Sequence, residues 1–322
     1  MHAGVGDVAN HRSAHSAITP TSGGLGFVAG FGATIIALTF MYVQGALVAE
    51  SLPRIFAPSL SLIFAVSMLG LVDDVFSLSA RVKFGTLVIL CGAAVYLIGP
   101  VTSLPLGQNT LALPFIIAFL GSVLWVFVVV NAVNFMDGAN GFMGAVMAIA
   151  SLGLFGVSLM SGALGAMVLA LINFAVLLGF LPYNSRRKAL IFSGDVGALC
   201  IGFVFAIAVL MLVAEAGNSS MLYAGPLLIL PFLTDVFLTL IRRARRGQNL
   251  LSAHNMHLYQ RLIRHGWSHV KVTWLYGFIG LVLANVTLAC THAGLISSGG
   301  LLPFFTGMLV FSYYMASGYL PD

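Results

Sequence analysis

Ten stretches of roughly 20 mostly apolar residues recur along this chain with short polar links between them, and that rhythm leaves little choice of fold. They lie near residues 24–49, 56–72, 85–104, 111–130, 141–160, 163–181, 197–215, 222–241, 270–290 and 296–319. Inside hydrocarbon every backbone N–H and C=O needs a partner within its own segment, which a helix supplies and an open strand does not. The expected fold is therefore all-α: a polytopic membrane protein of about ten transmembrane helices. Only 7% of the residues are charged, against about 25% in soluble domains, and the mean hydropathy is +1.04. Cys91, Cys200 and Cys290 all fall inside apolar runs, so neither a disulfide framework nor a cysteine zinc site is expected.

Charge sets the orientation. An even number of spans puts both termini on one side, where the links carry Arg12, Arg81, Lys83, Arg186, Arg187, Lys188, Arg242, Arg243, Arg245, Arg246, Arg261, Arg264 and Lys271. The other side carries only Arg54. Basic residues mark the cytoplasmic side, so the net charge of +5 reads as orientation and no nucleic-acid partner is expected. Residues 1–23 lack an apolar core and form a cytoplasmic N-terminal segment, not a signal peptide. The chain, 1–322, reads as one integral membrane domain, with a His/Arg-rich cytoplasmic loop at 242–269.

The unusual polar stretches all fall on that same side. They are "HRSAHSAITPTSGG" (11–24), "VDDV" with "SARVKF" (72–84), "NAVNFMDGANG" (131–141), "YNSRRKALIFSGDVG" (183–197) and "RRARRGQNLLSAHNMHLYQRLIRHG" (242–266). Five loops converging on one face of a helical bundle imply a cytoplasmic-face active site. Asp73 and Asp74 either mark the membrane boundary or serve a cation, because adjacent carboxylates raise each other's pKa until a cation compensates. A hard divalent ion with a preference for oxygen is the natural candidate. Neighbours on a regular helix point about 100° apart and would not share one ligand, a limit that a helix end relaxes.

Asn131, Asn134 and Asp137 recur every three residues, so they share a face if the helix continues, and such a face suits a polar heterocycle or a sugar. Asp195 in "SGDVG" is an N-cap or a ligand. "TPTSGG" is a phosphate-friendly turn before a helix. His254 and His257, three apart, share a helical face fit for nitrogen chemistry or phosphate binding, and no third soft ligand supports zinc there.

In order, "TPTSGG", "LVDDV", "NAVNFMDGANG", "SGDVGALCIG" and "AHNMHLYQRL" resemble the polyprenyl-phosphate N-acetylhexosamine-1-phosphate transferases of glycosyltransferase family 4, from about residue 11 to 290. The resemblance implies transfer of a sugar-1-phosphate from a UDP-N-acetylhexosamine to undecaprenyl phosphate in the bacterial inner membrane, with release of UMP. It implies Mg²⁺, or Mn²⁺ in its place, held by Asp195 with Asp73 and Asp74. Asp73 or Asp74 would deprotonate the lipid phosphate, and His254 and His257 would join them as catalytic residues. Lys83, Arg81 and Arg261 would meet phosphate, and Asn131, Asn134, Asp137 and Asn184 would serve the nucleotide and metal. Direct attack by the acceptor and a covalent aspartyl-phosphate route both stay open. Membrane lipids are the surroundings, and a homodimer is compatible with the family.

The histidine loop lacks the run of adjacent histidines of phospho-N-acetylmuramoyl-pentapeptide translocase and resembles the branch that starts surface-polysaccharide (O-antigen-like) assembly. A GlcNAc, QuiNAc or FucNAc donor is expected over the pentapeptide substrate. The family also departs from this chain in places. It has a further helix before "TPTSGG", so a lost helix or a misassigned start is implied. It often has Asp where Asn140 stands, Ser at Ala198 and Met at Ser193, and the spacing from Asn184 to Asp195 is one residue longer here. A catalytically silent scaffold and a transporter are the rival readings. Transport is disfavoured because only Asp235 lies well inside a span, within reach of the cytoplasmic end.

Overall fold

A computed structural model describes residues 6–7, 19–20, 23–44, 56–107, 109–250, 252, 254–298 and 300–319. The chain is a helical bundle: α1 (Gly23–Val43), α2 (Phe56–Phe76), α3 (Ala80–Ile98), α4 (Phe115–Phe135), α5 (Phe142–Met160), α6 (Leu164–Asn184), α7 (Gly194–Ala216), α8 (Ala224–Leu228), α9 (Leu230–Arg245), α10 (Leu258–Arg264), α11 (His269–His292) and α12 (Leu301–Tyr319). Among the described residues, eight helices are long and apolar enough to cross a membrane. A ninth span results if Ser219–Leu228 and Leu230–Arg245, bent by 74°, count as one. The expected ten differ at that bent pair and at the first helix, of which Gly23–Thr34 is a shorter apolar helix. The bend follows from Pro226 and Pro231, which remove two N–H groups from what would be one continuous ladder.

The span expected from 111 starts later, at Phe115. Ser103–Leu106 and Asn109–Ala112 form an antiparallel hairpin instead, turning at Gly107 with φ +66°. Tyr223, at the end of the broken span, donates its hydroxyl to Pro105 O in that hairpin. Of the N-terminal polar stretch, residues 11–18, Thr21 and Ser22 lie outside the described residues, as do Arg12 and Arg54.

α7 is the axis. It is apolar all round, and every residue from Val196 to Leu212 is buried, the pattern of a helix with no solvent face. α1, α2, α3, α4, α5 and α6 all touch it. Lipid tails are as apolar as leucine, so such contacts are held by close packing, which small residues allow. A Cβ on Gly202 would come within 2.9 Å of Val130 Cα in α4. One on Gly70 of α2 would come within 2.6 Å of the α7 backbone at Asp195 and Val196. α5, α6 and α11 complete the bundle around α7, and α12 rests on α9 and α11 through a small separate cluster of Leu230, Leu283 and Leu309.

Candidate active site

The end of α2 builds the first part of the site. Asp73 Oδ1 accepts the N–H of Leu78 at 2.8 Å, and Ser77 takes φ 52°, which reverses the chain. Ser79 then caps α3 by accepting from Val82 N. This turn brings Lys83, in the first turn of α3, back over α2. Its ammonium lies 2.7 Å from Asp73 Oδ2 and 2.5 Å from Asp195 Oδ2. Asp74 faces elsewhere: its two oxygens accept the N–H groups of Asp195 at 2.9 Å and Val196 at 3.3 Å. A carboxylate on the exposed donors of a helix N-terminus is favoured by both hydrogen bonding and the helix dipole. α2 stays helical through Phe76, so the adjacent pair diverges as regular helix geometry requires. Asp73 binds the lysine while Asp74 fixes α7.

Asp137 reaches the same cluster from the α4–α5 link and accepts the Ser193 hydroxyl just before α7. Burial pushes its carboxyl up to about 7; the Ser193 bond opposes this, while Asp195 and Asp74 push the same way. Between its ordinary value of 3.8 and about 7 the folded protein holds this proton and the unfolded chain does not. With more protons bound in the native state, stability falls as pH rises through that window. Thermal melting of metal-free protein in detergent between pH 5 and 8 should therefore show a falling midpoint, and 5 mM MgCl₂, an on-the-order-of concentration for weak carboxylate sites, should flatten the slope by favouring the ionised form.

The expected amide face does not continue. α4 stops at Phe135, where Met136 N–H bonds back to Ala132 O and Val133 O. Asn131 turns its amide onto Phe127 O at 2.8 Å and is buried, with its Oδ1 lacking a partner. Asn134 stays at the helix end, half-buried. Asn184 is a brace, accepting Gly141 N–H at 2.7 Å and donating to Ile191 O at 2.9 Å. Asn140 is another. Its side chain donates to Arg186 O at 3.0 Å, which an aspartate could not do, and its N–H is accepted by His269 Nδ1 at 3.0 Å. Arg81 is exposed on the first turn of α3. In "TPTSGG", Gly23 donates its N–H to Phe192 O at 2.9 Å, so that group is committed to the protein.

The histidines meet through a loop and not along a helix, since α10 begins only at Leu258. The rings of His254 and His257 are 4.8 Å apart, and His257 is buried against Phe135. Burial, then His257 and Arg243, pull His254 down to about 4. Its neutral form is therefore favoured near pH 7. Its Nδ1 accepts Met256 N–H at 3.3 Å, which leaves the proton on Nε2. Arg261 is buried away from the acids and donates to Ser317 Oγ of α12 at 2.9 Å. Sequence reasoning missed Ser193 as a partner of Asp137 and Gly70 as the contact that admits α2 to α7, and it saw Asp235 without giving it a role in the site.

Four carboxylates, from Asp73, Asp74, Asp137 and Asp195, lie together at the end of a membrane bundle, two of them, Asp73 and Asp195, paired with Lys83. Hard oxygen donors in excess of cation are the chemistry a magnesium-type ion prefers. Among the described residues no three such groups converge as a finished cage; Lys83 is the cation between Asp73 and Asp195. The donor atoms are of the type a divalent ion takes, and such an ion would meet Lys83 as a competitor for those of Asp73 and Asp195.

Residues 56–213 match the model of glycosyl transferase family 4. The chain is 29% identical over 300 residues to a probable undecaprenyl-phosphate N-acetylglucosaminyl 1-phosphate transferase of Bacillus subtilis, covering 89% of this chain and 78% of that one. It is 30% identical over 308 residues to a decaprenyl-phosphate N-acetylglucosaminephosphotransferase of Mycobacterium tuberculosis, covering 84% and 72%. It is 27% identical over 291 residues to a phospho-N-acetylmuramoyl-pentapeptide-transferase of Staphylococcus aureus, covering 84% of each.

Proposed function

The chain belongs to glycosyl transferase family 4, and from that premise we propose that it transfers N-acetylhexosamine-1-phosphate, with GlcNAc the favoured sugar, from a UDP-sugar to undecaprenyl phosphate. The observation that carries this is the acid cluster with Lys83, set at the end of the membrane-spanning helices where a lipid phosphate and a water-borne nucleotide can meet. The names of the Bacillus and Mycobacterium relatives support the GlcNAc donor. The asymmetry of Lys and Arg supports a cytoplasmic placement of this face in the bacterial plasma membrane.

In the proposed reaction an oxygen of the lipid phosphate attacks the sugar-bearing phosphorus of the UDP-sugar. The bond between the two donor phosphates breaks, UMP leaves, and a lipid-linked diphosphosugar forms. Such transfer depends on positioning and charge neutralisation. A magnesium or manganese ion would be held by Asp195 and Asp73 and would supply neutralisation of the phosphate oxygens. Asp74 fixes the first turn of α7, and with it Asp195, through two backbone N–H groups. Asp73 or Asp74 would take the acceptor's proton: Asp73 now holds Leu78 N–H and Lys83, Asp74 holds two N–H groups of α7, and either must yield one of these contacts to do so. Lys83, once exchanged off a carboxylate, lies within reach of phosphate, and Arg81 extends the cationic rim. The product would begin a lipid-linked surface polysaccharide.

The test is UMP release by purified protein in detergent with undecaprenyl phosphate, Mg²⁺ and a parallel panel of UDP-GlcNAc, UDP-QuiNAc, UDP-FucNAc and UDP-MurNAc-pentapeptide. Release with UDP-GlcNAc is expected, and excess chelator should lower it by ~100-fold or more, given the several kcal/mol a metal contributes to charge stabilisation. Full activity in chelator would remove the metal from the proposal. Silence across the panel in folded protein would favour a scaffold.

A further inference from the structure

We propose that Asp235 is a positioning residue that sets the histidine loop against the acid cluster; this rests on the transferase reading above. Asp235 lies in α9, 2% exposed, and a carboxylate at that depth stands only if its acceptor positions are filled. They are. Oδ1 accepts Leu258 N–H at 2.7 Å and the Thr239 hydroxyl at 3.2 Å. Oδ2 accepts Tyr259 N–H at 3.1 Å and the Tyr276 hydroxyl at 2.8 Å. The first two backbone donors of α10 therefore end on one side chain of another helix, and α11 is tied to the same carboxylate through Tyr276.

Two parts of the proposed site hang from this anchor. On one side is His257, the residue before α10, whose buried Nδ1 stands 3.5 Å from Asp235 Oδ1. Its ring lies 4.8 Å from that of His254. On the other side is Tyr259, which donates its hydroxyl to Phe135 O at 3.1 Å. That hydroxyl also packs so tightly on Gly138 that a Cβ there could not fit. Phe135 and Gly138 bracket Asp137, so the height of α10 fixes the link that delivers Asp137 to the cluster. Releasing Asp235 frees both the histidine pair and the Asp137 link, although its hydrogen bonds all go to Thr239, Leu258, Tyr259 and Tyr276 and none to the acid cluster.

The experiment uses the full chain in detergent, with Asp235→Asn and the milder Tyr276→Phe, which deletes one bond to the same carboxylate. Ser317→Ala serves as the control, since it removes a hydrogen bond to Arg261, in the middle of α10, without touching the two N-terminal donors that Asp235 accepts. Amide hydrogen exchange over residues 254–264 should speed up by ~10-fold or more in Asp235→Asn while α5 and α7 stay protected. The kcat for UMP release should fall by ~100-fold, the scale of a small misplacement of reacting groups, with KM for UDP-GlcNAc within ~3-fold. Tyr276→Phe should move both readings the same way by less, and Ser317→Ala should leave kcat unchanged. Unaltered exchange over 254–264, or faster exchange with full kcat, overturns the proposal. If Asp235→Asn does not fold, Tyr276→Phe decides by the same two readings. If wild-type protein releases UMP from no donor, the transferase reading fails, and unaltered exchange would still refute the anchoring on its own.

Discussion

Asp74→Asn should lower the rate of UMP release by ~10²–10³-fold, the range seen when a preorganised electrostatic group is removed, in protein that still folds. Asn keeps the size of the side chain but presents one acceptor and one NH₂ to the two donors that Asp74 now receives, from Asp195 N and Val196 N. One donor loses its partner, and the charge opposite the helix dipole is lost. As a cap this interaction contributes about 1 kcal/mol, small enough for a bundle this size to survive. As a positioner it carries more, because Asp195 is the first acidic residue of α7 and shares Lys83 with Asp73. Steady-state UMP release together with thermal melting separates the two effects: a midpoint shift of a few degrees with nearly all activity gone is expected. Turnover near that of the wild type would show that the α7 cap has no part in the chemistry.

Gly70→Ala should be as damaging to activity and more so to the fold. The added methyl would lie 2.6 Å from Asp195 O, Val196 Cα and Val196 N. All three atoms are backbone in the most buried helix of the protein, so no rotamer change can relieve the clash. Overpacking of this kind costs typically 1–3 kcal/mol. The relief available is for α2 to back away from α7, which lengthens the reach from Asp74 to its two donors. Melting should show a clear loss of stability and transfer should drop to the level of Asp74→Asn. Gly85→Ala in α3, where nothing lies within 4 Å of the added carbon, should change neither. Stability and activity at wild-type level in Gly70→Ala would mean that the helices are not held at backbone contact.

How much of this was legible in the residues depends on the distance over which each signal acts. The spans could be read because burial in lipid imposes a composition on 20 consecutive residues at once. The acids could be picked out because charges in such a chain are rare. Pairing was harder. That Asp73 turns to Lys83 while Asp74 turns to α7 depends on where α2 ends, and Ser77 in a left-handed conformation leaves no strong mark in "DDVFSLS". The amide ladder from Asn131 to Asp137 failed for a similar reason: the helix stops two residues short. Asp235 was seen but set aside as near the membrane edge, because its partners, Leu258, Tyr259 and Tyr276, arrive from later in the chain. Asn140 was noticed as a departure from the family's Asp, yet only the folded loops show that it donates to Arg186 O.

The contact at Gly70 has a further consequence for how such a protein can diverge. Where two helices touch backbone to backbone, no side chain is left to exchange for a slightly larger or smaller one, so neutral drift cannot adjust the spacing in small steps. The distance between α2 and α7 is effectively frozen for every descendant that keeps the fold. Variation is then left to the links between helices, such as 136–141 and 185–193, where Asn140 stands in place of the Asp that the resemblance leads one to expect and donates to Arg186 O.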